Sequence, residues 1–193
     1  MRDPLPIYMK NEDDMEATAY VAANLLYMYG VAEQPNVRRI DYELGPDQTI
    51  RGHVARYLLG LKFNVQTISP YDPRQFLADE VKCASSENRL SSSVSPPVTH
   101  MEQILGAYEE APSRAEYFPR DVTFKDITEA IAHNRTVLLP WGQDNAPVLV
   151  YGVTAHDVQL WYPYWDQPCL QRCSYRRFKS QWQFQLGVEI FWR

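Results

Sequence analysis

The chain has 193 residues, a charged fraction of 22% and a formal net charge of −5. The acidic balance argues against a general nucleic-acid surface, because phosphate binding needs clustered lysine and arginine. No apolar run approaches the roughly 20 residues that cross a bilayer, and the N-terminus lacks the layout of a signal peptide. We therefore expect neither a nucleic-acid partner nor a membrane span.

The cysteine content bears on the compartment. The chain has three cysteines, an odd number that does not suggest a disulfide framework. We therefore expect a soluble, cytoplasmic protein. The one basic cluster, residues 172–179, is short and interrupted, which favours a solvated helix face over a binding patch.

Helical patterns dominate the N-terminal part. The first predicted helix, residues 14–29, has an acidic start, small and apolar residues along its length, and a left-handed stop at Gly30. This pattern is typical of a central, buried helix. After a polar connection, a second helix is predicted over residues 50–59 and a short strand over residues 63–67.

Two further helices with irregular connections are predicted in the middle of the chain. One begins at Asp72-Pro73 and the other at Thr99, which opens a capping box. The Ser- and Pro-rich stretch between them, about 83–98, predicts an exposed, flexible loop. Residues 111–119 are interpreted as a second irregular connection, and a helix follows between Thr123 and Asn134.

Strand patterns dominate the C-terminal third. Strands are predicted at residues 137–139, 147–153, 158–162 and 188–192, with a short helix at residues 174–181. Helices first and an antiparallel sheet last indicate an α+β domain, with the helical N-terminal part packed on the C-terminal sheet. We expect residues 1–193 to form a single domain.

The order of these elements resembles the C39-like branch of the papain-like cysteine peptidases. That family opens its first helix with a pattern close to Asp-Cys-Gly-Pro-Ala-Ala, and residues 16–30 match its length and terminal glycine. Residues 60–65 match a Gly-Leu-x-Val-like strand, and residues 127–139 match the helix-then-strand that follows. The resemblance covers most of the chain outside residues 82–122 and implies a papain-like fold.

The catalytic residues of that family are absent from this sequence. Ala17 stands at the position of the nucleophile, Ala146 at that of the histidine, and Tyr162 at that of the orienting Asp or Asn. A thiol peptidase needs a thiolate, a base and a group that orients the base, so the resemblance implies a pseudopeptidase. Loss of all three members favours a natural pseudoenzyme, since an engineered inactivation would usually remove the nucleophile alone.

Other residues give weak support to a relocated catalytic site. Cys83 lies in the Ser-rich stretch and is interpreted as a bystander thiol. Cys169 and Cys173 lie four residues apart with His156 nearby, but a metal site normally needs three or four ligands with tighter pairing. The acidic residues at positions 12–16 are interpreted as helix capping. We therefore expect no metal and no cofactor.

The resemblance leaves a cleft without its catalysts. We expect aromatic and polar residues at strand ends and in one loop to line it and to bind a peptide or partner protein: Trp141, Asp144, Asn145, Trp161, Tyr164 and Trp165. For any one ring the alternative is packing in the core. Three functions stay open: a non-catalytic binding or scaffolding module, an amide- or acyl-transfer enzyme with relocated residues, and a structural subunit of an oligomer.

Overall fold

A computed structural model describes residues 1–7, 9, 17–44, 52–70, 113–142, 146–164, 166, 168–182 and 187–193. These residues contain five helices and seven strands. The helices are α1 (Ala17–Met28), α2 (Val37–Leu44), α3 (Gly52–Gly60), α4 (Phe124–Ala132) and α5 (Tyr175–Gln181). The strands are β1 (Asn64–Ser69), β2 (Ala115–Pro119), β3 (Thr136–Trp141), β4 (Ala146–Val153), β5 (Asp157–Trp161), β6 (Leu170–Ser174) and β7 (Val188–Trp192).

All seven strands form one sheet, in the order β2-β1-β7-β3-β4-β5-β6. The α+β class is therefore confirmed, and the predicted C-terminal strands β3, β4, β5 and β7 pair antiparallel. β1 and β2 run parallel, with Val65 opposite Ala115, so the sheet is mixed. A parallel pair needs a long crossover connection, which residue-by-residue patterns do not reveal.

Helices cover both faces of the sheet. Successive side chains of a strand point to opposite faces, so Leu138 of β3 packs in the core on the α1 side and Leu139 in the core on the α4 side. Both leucines are fully buried. The α1 side also holds residues of α2 and α3, and the α4 side holds Phe178 of α5.

The first helix is central and buried, as its small residues predicted. Every residue of α1 except Tyr27 is buried. Gly30 has φ +70° just beyond the helix, which is the left-handed stop expected at that position. Asn134 likewise has φ 55° after α4. Both predicted helix ends are confirmed.

Three elements were missed by the sequence analysis. α2 lies in the stretch predicted as a polar connection, and only Ile40 of that helix is buried. β2 lies in the stretch predicted as irregular, and β6 was not predicted. β2 and β6 are the two edge strands of the sheet, where most side chains stay accessible and the hydrophobic alternation is weak.

The N-terminal residues form a strap along α1. The backbone N–H of Arg2 donates to the carbonyl of Met28 at 2.8 Å. The N–H of Leu5 donates to Oδ1 of the buried Asn24 at 2.8 Å, and the carbonyl of Leu5 accepts from Nε1 of Trp161 at 2.9 Å. The strap therefore joins α1 to β5 through polar groups that would otherwise be buried without partners.

Several sequence-based predictions lie outside the described residues. These are the acidic start at 12–16, the helices from Asp72 and from Thr99, the flexible loop at about 83–98, and Cys83. None of the helices among the described residues combines the length and apolarity needed to cross a membrane.

Candidate functional site

Two of the three positions that the sequence predicts to be degenerate catalytic positions lie at the same end of the sheet. Ala146 begins β4, and Tyr162 directly follows β5. β4 and β5 are antiparallel, and Leu149 pairs with Trp161, so both positions lie beyond that pair in the same direction. Trp141 pairs with Ala146 and lies at this end as well. We call this end of the sheet the Ala146 end.

The third position, Ala17, begins α1, so its place depends on how α1 lies on the sheet. Tyr29, one residue beyond α1, donates from its hydroxyl to the carbonyl of Phe191 at 2.6 Å and accepts from the N–H of Thr136 at 3.1 Å. Thr136 begins β3, so the C-terminal end of α1 lies at the opposite end of the sheet. The 12 residues of α1 rise about 18 Å.

The contacts of Asn24, in the middle of α1, show the direction of the helix. Asn24 lies five residues before Tyr29 and is joined through Leu5 to Trp161, the last residue of β5. Going back along α1 from Tyr29 therefore leads from the start of β3 towards the end of β5. We infer that the helix points its first residue, Ala17, towards the Ala146 end.

None of the three side chains carries a group for thiol catalysis. Ala17 and Ala146 are buried methyl groups, with exposed fractions of 7% and 5%. Tyr162 is half-buried, and its ring lies against that of Tyr164 with 5.1 Å between the centroids. A phenol in this place neither generates a thiolate nor orients an imidazole.

Two of the three tryptophans expected to line a cleft are core residues. Trp161 has no exposed surface and packs among residues of the α1-side core. Trp141 is buried on the other side of the sheet, 5.5 Å from Phe178 between ring centroids. Their predicted exposure is wrong, because each ring lies on a face of the sheet that helices cover. The predicted binding residues Asp144, Asn145 and Trp165 lie outside the described residues.

Partly exposed tyrosines remain at the Ala146 end. Tyr162 and Tyr164 both keep part of their surface accessible, and Tyr164 forms a backbone bridge with Met9 of the N-terminal strap. The N–H of Met9 donates to the carbonyl of Pro163. The structure thus brings together one predicted binding residue, Tyr164, with Ala146 and Tyr162.

The described cysteines are poor nucleophiles. Cys169 and Cys173 are both free and buried. Burial raises the pKa of both thiols, since the charged thiolate is disfavoured away from water. Among the residues that the structure describes, no group of three or more His, Cys, Asp or Glu side chains is placed to hold a metal ion.

A second polar feature was not indicated by the sequence. A depression of about 230 Å³ lies beside α4, and its lining comes from β1, α4, β7 and the residue before β3. His133 and Arg135 are the two basic residues that line it. Because β1, α4 and β7 are far apart along the chain, no motif could have shown that the residues lining the depression meet.

Comparison with known proteins gives no relative. No family model, no curated protein and no solved structure matches the chain. The function is therefore inferred from the residues and their geometry.

Proposed function

We propose that the chain is a catalytically inactive, C39-like papain-like domain that binds a peptide segment or a partner protein. The observation that carries the proposal is the meeting of Ala146 and Tyr162 at one end of the sheet, towards which α1 points Ala17. In the family that the sequence resembles, these positions hold the reactive groups. Here they hold two methyl groups and a phenol, so the scaffold lacks the groups that thiol catalysis needs.

The binding role is supported by the surface at the same end. Tyr162 and Tyr164 present adjoining, partly exposed rings, and the backbone of residues 163 and 9 runs beside them. Tyrosine offers a large, rigid contact area with a polar tip, and such residues often anchor peptides and protein partners. Location in the cytoplasm belongs to the same proposal, as does the absence of a required cofactor.

The rival function is an enzyme with relocated residues. Of its candidate nucleophiles, Cys169 and Cys173 are buried with raised thiol pKa values, which opposes activation. Labelling with a thiol-reactive electrophile tests this rival over the whole chain. We expect every thiol to react no faster than a free cysteine. A cysteine that reacts far faster would contradict the inactive assignment.

The binding role is tested by selection from a random-peptide display library. We expect the chain to enrich a set of peptides, and Tyr164→Ala to weaken binding of the selected peptide by about tenfold or more, as loss of an aromatic anchor does. Fluorescence anisotropy of the labelled peptide measures the affinity. Tyr42→Ala is the matched control, because Tyr42 is 87% exposed on α2 and should not affect binding.

Two results would contradict the binding role. One is a library that yields no enriched peptide, and the other is a selected peptide that binds the wild-type chain and Tyr164→Ala equally well. Concentration-dependent self-association that Tyr164→Ala abolishes would instead favour the third function, a structural subunit of an oligomer.

A further inference from the structure

The depression beside α4 is lined mainly by polar groups, with charges of both signs. Ile68, Ala130 and Ile190 also border it but are almost fully buried. The polar lining comes from the side chains of five residues: Gln66, Asp126, Glu129, His133 and Arg135. A volume of about 230 Å³ is below the roughly 300–1,000 Å³ of sites for drug-sized ligands, so the depression suits a smaller molecule.

Arg135 supplies an oriented positive charge at this site. Its guanidinium carbon lies 4.1 Å from the ring centroid of Trp192, and its Nη1 lies 3.5 Å from Oε1 of Gln66. Among the described residues, no carboxylate lies within ion-pair distance of the Arg135 guanidinium. Stacking fixes the plane of the group and leaves its other N–H donors for a ligand. A planar guanidinium of this kind suits a carboxylate.

Glu129 supplies the opposite charge. Its carboxylate has one exposed ion pair, with Nζ of Lys125 at 3.4 Å, which is a weak and solvent-screened contact. Asp126 also lines the depression, but its two oxygens accept from Arg120 at 2.6 and 3.0 Å, which offsets its charge. The C-terminal end of α4, where the helix dipole is negative, adds to the attraction for a cation.

His133 also lines the depression. Its Nδ1 lies 2.7 Å from the carbonyl oxygen of Glu129, a contact in which Nδ1 carries the proton. In the tautomer that donates from Nδ1, Nε2 is an acceptor. An acceptor in the same depression as the Glu129 carboxylate favours an ammonium group over a second anion.

We propose that this depression binds a small zwitterion, with the carboxylate of the ligand on Arg135 and its ammonium group at Glu129 and His133. The chemical class that fits is a free α-amino acid. This site lies apart from the Ala146 end, so its occupancy is independent of the proposed peptide-binding function.

The test is a titration of the full chain with leucine, followed in ¹H–¹⁵N correlation spectra. We expect saturable shifts of the amides of Ala130, Arg135 and Ile190. Leucinamide lacks the carboxylate and N-acetyl-leucine lacks the ammonium group. Each should bind at least about tenfold more weakly, because each loses one charge-assisted contact.

Variants assign the two ends of the ligand. Arg135→Gln should abolish the shifts caused by leucine, and Glu129→Gln should weaken binding of leucine more than that of N-acetyl-leucine. Arg172→Gln is the matched control, because Arg172 is exposed on the edge strand β6. It should bind leucine like the wild-type chain.

The comparison of leucine with its two analogues tests the proposal in the wild-type chain. It therefore does not depend on whether the variants fold. Absence of saturable shifts with leucine would overturn the proposal. Equal binding of leucine and leucinamide would show a site for a cation alone, and equal binding of leucine and N-acetyl-leucine a site for a carboxylate alone. Either result would also overturn it.

Discussion

Gly187 lies so close to the end of β1 that a side chain has no room there. Its φ is +75°, and a Cβ built on it would lie 2.6 Å from the carbonyl oxygen of Ile68 and 2.7 Å from Cβ of Ser69. A left-handed conformation costs a residue with a Cβ about 1–2 kcal/mol, and overpacking against backbone adds about 1–3 kcal/mol. We therefore expect Gly187→Ala to lower the free energy of unfolding by about 2–5 kcal/mol.

The comparison is with Gly60→Ala, measured by the same urea titration. Gly60 ends α3, and a Cβ at that position would meet no atom within 4 Å. Alanine in a helix is favoured over glycine by about 1 kcal/mol at most, so this change should leave stability equal or slightly higher. If the two variants lose the same stability, contact with Ile68 does not constrain residue 187.

At the scale of the element, α4 begins with a complete capping box. The N–H of Thr123 donates to Oδ2 of Asp126 at 2.7 Å, and the Thr123 side chain accepts from the N–H of Asp126. Burial by itself would raise the pKa of Asp126, but hydrogen bonds from Arg120 and Thr123 outweigh it and lower the pKa to about 2. The box is thus held by an ionised carboxylate.

The pH dependence follows from the sign of that shift. An unfolded aspartate has a pKa near 3.9, above the folded value of about 2, so the stabilisation is complete above about pH 5 and is lost as the pH falls towards 2. We expect Asp126→Asn to cost about 1–2 kcal/mol at pH 7, allowing for solvent screening. The difference from the wild-type chain should shrink between pH 5 and pH 2.

Urea titrations at several pH values measure this difference. Asp121→Asn is the control, because Asp121 precedes the box and takes no part in the capping contacts. It should stay within about 0.5 kcal/mol of the wild-type chain at every pH. A cost for Asp126→Asn that does not change with pH would mean that the carboxylate charge contributes nothing to the cap.

Elements with a buried face were predictable from the sequence, and elements at the edge were not. The capping box and left-handed end of α4 are local signals, and β3 is buried at all six residues. By contrast α2 buries one residue, and the edge strands β2 and β6 alternate weakly. Whether such a segment joins the sheet depends on strands that are distant in sequence. Its own strand propensity does not contain that information.

The same limit applies to the candidate site. The predicted strands at 147–153 and 158–162 are neighbours in the sheet, and their pairing puts Ala146 and Tyr162 at one end. Sequence patterns do not tell which rings face the helices, so the burial of Trp141 and Trp161 was not predictable. The depression at Arg135 needs β1, β7, α4 and the residue before β3 to come together, and no local pattern predicts this.

At the scale of the whole molecule, one sheet separates two cores. Among the described residues, the α1-side core and the α4-side core share no side chain, since each strand residue points to one face only. In this part of the chain the two cores meet at the backbone of the sheet. If the sheet folds and unfolds as a unit, a destabilising substitution in either core must destabilise both cores.

Leu138 and Leu139 test this coupling, because they are neighbours in β3 with side chains in different cores. Both are fully buried, so Leu138→Ala and Leu139→Ala should each cost about 2–5 kcal/mol. We expect each variant to unfold in one transition, with far-UV circular dichroism and tryptophan fluorescence changing together. Separate transitions, with only one shifted by each variant, would show that the cores unfold independently. That result would mean that the hydrogen bonds of β3 do not suffice to couple the α1 side to the α4 side.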